Sequence, residues 1–184
     1  MDTPTIVYRV DGEDRIVAVN GAWNAFASAN GGGAITESRI IGRNLFEFVT
    51  DATTQQLYRQ MLARIRGGQD LTYTYRCDSP NRRRLMEMEM RLVDDAGSVE
   101  FRSVPLEEQA RAPLHVAQAD GADDSEDTVL QRSCGWCNRL EVEGTWLEIE
   151  EAIPRLGVME QRQPATLTHG MCDDCLERML AELV

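Results

Sequence analysis

The chain contains no lysine; all 19 of its basic residues are arginine. That excludes chemistry needing an amine side chain, such as a Schiff base, a pyridoxal site or the lysine of a standard phosphate-binding loop. Histidine is scarce as well: 184 residues hold two, His115 and His169. No apolar run approaches the roughly 20 residues of a membrane-spanning helix. The opening Met1-Asp2-Thr3-Pro4 lacks the basic and then apolar stretch of a secretory signal. A cytoplasmic protein without membrane contact is therefore expected. Positive charge is also short, with a formal net charge of −12. This argues against nucleic acid as a partner, because a general binder needs a basic surface.

What is present divides the chain by charge. Residues 1–112 carry 14 arginines against 16 acids, residues 113–133 one against five, and residues 134–184 four against ten. The middle piece, centred on Ala117 to Asp127, has almost no large apolar side chain. It cannot offset its ordering entropy by burial, so 113–133 reads as a flexible acidic linker between a domain at 1–112 and a module at 134–184.

The first part has an α+β rhythm. Ile6 to Val10 and Arg15 to Val19 are β-rich runs around the turn signal Asp11-Gly12-Glu13-Asp14. Asn20 is placed to cap a helix in which Trp23, Phe26 and Ala27 share a face, ended by Asn30-Gly31-Gly32-Gly33. A second helix is expected from near Asp51 or Thr53, with Leu57, Met61, Leu62 and Ile65 on one side and Gly67-Gly68 as its stop. Leu71, Tyr73 and Tyr75, and then Met86, Met88 and Met90, alternate with polar or exposed positions. Such period-two runs give strands with one buried face and one wet face. Asp94-Asp95-Ala96-Gly97 turns into a last strand, Val99 to Val104.

This β-β-α-α-β-β-β order resembles a PAS domain over residues 5–108, a five-stranded antiparallel sheet with helices. The residues that carry the resemblance are Ile16-Val17-Ala18-Val19-Asn20, Trp23, Phe26 and Ile41-Gly42-Arg43-Asn44-Leu45-Phe46-Glu47-Phe48-Val49. It implies a sensor that binds a small molecule between sheet and helices, or a domain that forms homodimers. A histidine-ligated haem does not fit, since both histidines lie outside this part. The photoreceptors of this family place a reactive cysteine after Gly-Arg-Asn, where this chain has Leu45. Met86, Met88 and Met90 read as core packing, with an adaptable ligand lining as the alternative. Arg82-Arg83-Arg84 reads as a solvated turn, or as a contact for an anion or an acidic partner. Cys77 reads as a passive strand-end cysteine, or as a thiol made acidic by Arg76 and the arginine run.

The sharpest motif is in the last part: Cys134-x2-Cys137, then 34 residues, then Cys172-x2-Cys175. Clustered cysteines in a cytoplasmic chain point to metal or redox sites. Four thiolates suit Zn²⁺, which takes tetrahedral soft ligands. Gly135-Trp136 makes a tight knuckle for the first pair. The second pair opens a helix with Asp173-Asp174 in its first turn and Leu176, Met179, Leu180 and Leu183 as an apolar stripe. A knuckle pair joined to a helix-start pair resembles a treble-clef zinc site. A module of about 50 residues has little core, so a structural metal would serve as its staple. His169 can replace one cysteine, hydrogen-bond a thiolate from outside the ligand set, or shape a turn with Gly170. With three cysteines and an open position it would suggest a zinc enzyme, but no general base accompanies it.

The tail also resembles a C-terminal module of bacterial signalling proteins, found on response regulators, histidine kinases and PAS proteins. The matching residues are Cys134-Gly135-Trp136-Cys137, Gly144-Thr145-Trp146, Glu148-Ile149-Glu150-Glu151-Ala152-Ile153 and Thr168-His169-Gly170-Met171-Cys172-Asp173-Asp174-Cys175. Asp173 stands where proline is usual, and Asn138-Arg139 where a more basic stretch is common. The resemblance implies a non-enzymatic signalling role. A sensor domain would be coupled to a structural zinc module that engages a protein partner, with Trp136 and Trp146 either as anchors or as packing around the metal. The alternative is a thiol redox sensor in which oxidation pairs Cys134 with Cys137 and Cys172 with Cys175 and releases zinc. On the leading zinc-module reading the two parts are independent, and chelation would unfold the tail alone.

Overall fold

The computed structural model describes residues 4–30, 32–49, 51–79, 81–112, 130–156 and 166–183. Strands β1 (Ile6–Val10) and β2 (Ile16–Val19) form the expected hairpin. Asn20 caps α1 (Gly21–Ala29), its side-chain oxygen accepting from the Trp23 N–H at 3.1 Å. A 3-10 turn (Gly33–Ile35), the short helix α2 (Glu37–Ile40) and a second 3-10 turn (Leu45–Glu47) lead into α3 (Ala52–Arg66). Sequence gave no sign of α2, because four residues are too few to display an apolar period. Asp51 caps α3 by accepting from the Thr54 N–H at 2.7 Å. Leu57, Met61, Leu62 and Ile65 are all buried, as their spacing requires.

Three long strands complete this unit: β3 (Leu71–Arg76), β4 (Arg82–Leu92) and β5 (Val99–Ala110). The sheet order is β2-β1-β5-β4-β3, antiparallel throughout. With its helices inserted between β2 and β3, this is the PAS-like arrangement expected. Two boundaries differ. The strand β5 continues to Ala110, and β4 begins at Arg82, so the arginine run is strand and not turn. Arg84 faces Glu108 across the ladder and Leu85 faces Glu107. Opposite charges on neighbouring strands favour the extension, which a purely apolar pattern does not register.

The two faces of the sheet are chemically distinct. On the outer face Glu100 is clamped by Arg9 at 2.7 Å and Arg91 at 2.6 Å, and Arg102 meets Glu89 at 3.3 Å. The inner face carries Val10, Met86, Met88, Met90, Val99 and Phe101, all buried, and α3 packs over it. The methionine stripe is core.

The tail forms a second, mixed sheet. It contains β6 (Leu130–Cys134), β7 (Leu140–Val142), β8 (Thr145–Leu147), helix α4 (Ile149–Leu156), β9 (Thr166–Gly170) and helix α5 (Asp173–Glu182). The order is β8-β7-β6-β9, with β6 and β9 parallel. The β7–β8 turn is made by Glu143 and Gly144, both with positive φ (50° and 78°), the two-residue turn that suits strand twist. Residues 130–133, assigned to the linker from sequence, belong to β6, whose backbone pairs with β9. The rest of the expected linker, 113–129, lies outside the described residues. Among the described residues no helix is long and apolar enough to cross a membrane.

The expectation of two independent parts is also corrected. One hydrophobic cluster contains Leu57, Met61, Phe101 and Tyr73 of the first unit together with Cys134, Trp136, Met171, Cys172, Cys175 and Met179 of the tail. The physical reason is the apolar gap between α3 and β3, which Trp136 fills. Met61 is fully buried in this cluster and Val17 is 46% exposed outside it. Met61→Ala should therefore cost about 2–5 kcal/mol and Val17→Ala less than about 0.5 kcal/mol, read as the shift of the urea unfolding midpoint.

Candidate metal centre

The end of β6 delivers Cys134. The chain then turns tightly through Gly135 and Trp136 to Cys137, with Asn138 in the left-handed region (φ 59°) and its N–H bonded to the Cys134 carbonyl at 2.9 Å. That turn aims both thiols to the same side. Beside β6 runs β9, and the Gly135 N–H donates to the Gly170 carbonyl at 2.9 Å, which brings the start of α5 to the knuckle. Cys172 is the N-cap of α5 and Cys175 sits in its first turn. The four sulfurs consequently lie within 4.8 Å of one another. The Cys137 and Cys172 sulfurs are 3.7 Å apart. A disulfide would need about 2.05 Å, whereas Zn–S bonds of about 2.3 Å in a tetrahedron set sulfurs about 3.8 Å apart. All four cysteines are free thiols here.

The surroundings favour negative sulfur. The Cys172 N–H points at the Cys134 sulfur at 3.4 Å, and Arg178 reaches the Cys175 sulfur at 3.7 Å. Hydrogen bonds from the Cys137 and Cys175 thiols push the Cys134 thiol down. The same contact with Cys134 raises Cys137 to about 12 and pushes Cys175 up. Only a cation allows four sulfurs at this spacing to ionise together.

His169 does not join the group. Its side chain is exposed on β9 and lines a separate cavity of about 190 Å³ with Asp51, Thr54 and Tyr58. Neither a ligand role nor a hydrogen bond to a thiol is present among the described residues. Strand alternation is the reason: parallel pairing sets His169 beside Ser133, three residues before the α5 cap. Cys77 is also apart from the group, and burial pushes its thiol up. This agrees with the passive cysteine expected, and the alternative of an acidic thiol is not met: burial outweighs the Arg84 charge, and Asp78 adds to the rise.

Sequence reasoning missed the seam between the centre and the first unit. The Trp136 ring meets Tyr58 at 5.9 Å and Tyr73 at 6.2 Å. These rings extend a row that runs from Trp23 through Tyr8 and Phe101 to Tyr58. The Trp136 carbonyl accepts from the Arg76 N–H at 2.7 Å, which continues the edge of β3 into the knuckle. Arg83 holds Glu150 at 2.6 Å, Arg111 holds it at 3.1 Å, and Arg139 ties Glu148 and Asp174 at 3.1 Å each. Of the arginine run, Arg83 thus has its acidic partner in the tail of the same chain, while Arg82 and Arg84 meet Glu108 of β5. The sequence signal was the charge imbalance between the two parts, read there as a matter for external partners.

No family model matches the chain, and the search of the curated proteins gives no match. Among solved structures, the chain is similar to a domain of an HTR-like protein from Haloarcula marismortui, with 13% identity, 56% of this chain and 99% of that one covered, and a TM-score of 0.40. A sensory box sensor histidine kinase from Vibrio cholerae has 12% identity, covers 57% of this chain and 83% of its own, and has a TM-score of 0.41. The PAS domain of the RpfR quorum-sensing receptor from Cronobacter turicensis, in complex with C12:0, has 16% identity, coverage of 58% and 98%, and a TM-score of 0.39. The fold assignment itself rests on strand order and helix placement.

The seam has a pH signature. The Arg83 hydrogen bond lowers the Glu150 carboxyl from 4.5 to about 2. A depressed folded value stabilises above the unfolded value and is lost as pH falls through the folded one. Glu150→Gln should lower stability at pH 7 by less than about 1 kcal/mol, since the pair is partly exposed. Thermal unfolding midpoints of variant and parent should converge as pH drops from 4.5 to about 2.

Proposed function

We propose that the chain is a non-enzymatic bacterial signalling protein in which a structural Zn²⁺, held by Cys134, Cys137, Cys172 and Cys175, fixes a treble-clef-like tail against a PAS-like sensor unit. The observation that carries this reading is the four-sulfur cage, with its 3.7 Å contact made between the two pairs. That spacing supports one shared ion over two separate dithiol couples. Bound zinc would supply a fixed tetrahedral node and no redox chemistry. The protein would supply the thiolates, the Cys172 N–H and the Arg178 charge that balance them. The tail's aromatic and acidic groups face the chain's own first unit, so its role is to report the state of the sensor, with output passing to a separate protein partner.

Native mass spectrometry of the full chain tests the centre. The expected result is one zinc per chain, lost in Cys172→Ser and retained in His169→Ala. Zinc that survives Cys172→Ser, or leaves with His169→Ala, would overturn the four-cysteine assignment.

A further inference from the structure

Between α3 and the sheet lies a slot walled by Tyr58, Tyr73, Tyr75 and Met88. Trp136 fills part of it and leaves a cavity of about 120 Å³ beside its ring and Gly135. Trp136 behaves there as an occupant rather than as a founding part of the core. The sheet and helices of the first unit are complete before the chain reaches it. Among the described residues its buried Nε1 meets no hydrogen-bond acceptor, although the neighbouring Tyr75 hydroxyl pairs with Ser103 at 2.8 Å. A slot shaped for this indole would offer its N–H an acceptor. Its position is set from outside the slot, by the knuckle between Cys134 and Cys137 and by the Arg76 N–H on its carbonyl.

We propose that Trp136 is a tethered ligand: the slot is a binding site for a free planar aromatic molecule, and metal at the four thiols competes with that molecule by holding Trp136 in place. The lining defines the ligand class. Tyrosine rings offer edge and face contacts, and Met88 adapts to shape. Among the described residues no charged side chain lines the slot, which disfavours an ionised ligand. A neutral compound of one or two fused rings fits, with or without an N–H. Linkage makes the competition reciprocal, so the aromatic compound also weakens metal binding. The competition rests on the zinc reading above, whereas the slot does not.

The test uses the full chain and 5-fluoroindole, followed by fluorine NMR. Zinc-stripped protein and Trp136→Gly should bind the probe at least about tenfold more tightly than zinc-loaded protein, and Trp136→Phe, which keeps a smaller ring, should fall between. The phenylalanine variant decides the matter if the glycine variant does not fold. Equal probe affinity with and without zinc in a chain that takes up zinc would overturn the competition. Absence of binding to a folded Trp136 variant would overturn the slot. If the chain takes up no zinc, the metal reading fails, and the comparison of variants with the parent still decides the slot.

Discussion

The burial of Trp136 against Tyr58 and Tyr73 is the contact on which the arrangement of this protein depends. It lies between two of the four thiols, so whatever shapes the knuckle also places the ring. It is 4% exposed. Removing a side chain of this size from such a setting typically costs about 3–5 kcal/mol, a large part of the 5–15 kcal/mol that holds an ordinary domain together. The part-buried arginine–glutamate pairs of the seam give back much of their attraction as desolvation. The arginine–glutamate contacts along the seam therefore set orientation, and the aromatic contact sets whether the tail docks at all.

Charge acquires a different meaning once the seam is known. The tail is acidic and the first unit nearly neutral, and from sequence the tail's charge suggested an external protein partner. In the fold, Arg76, Arg83 and Arg111 meet Glu148 and Glu150 within one chain. Arg9, Arg91 and Glu100 neutralise the outer face of the large sheet in the same way. The whole-chain value of −12 thus describes neither surface, because much of the arginine is paired locally.

A metal at the thiols would act on more than the tail. The knuckle extends the edge of β3 through the Arg76–Trp136 backbone bond, and α5 begins at Cys172. A change in ligation would therefore reach the sheet and α3 by direct contact. This gives a physical route between a cysteine cage and a sensor-type cavity without a further moving element.

Local patterns were legible in the sequence by itself. The caps at Asn20 and Asp51, the α3 face of Leu57, Met61, Leu62 and Ile65, the strands of alternating methionine and the pairing of two Cys-x2-Cys steps all follow from near-neighbour chemistry. These depend on spacing along one element, which the chain records directly. The tertiary structure decided what depends on distant elements meeting. It set His169 outside the thiol group through the β6–β9 pairing, made the arginine run a strand through its cross-strand acids, raised the Cys77 thiol by burial, and joined two apparent domains through a seam centred on one indole. Such contacts join residues from about 24 to more than 60 positions apart, like Arg84 with Glu108 and Tyr73 with Trp136, and no local period announces them.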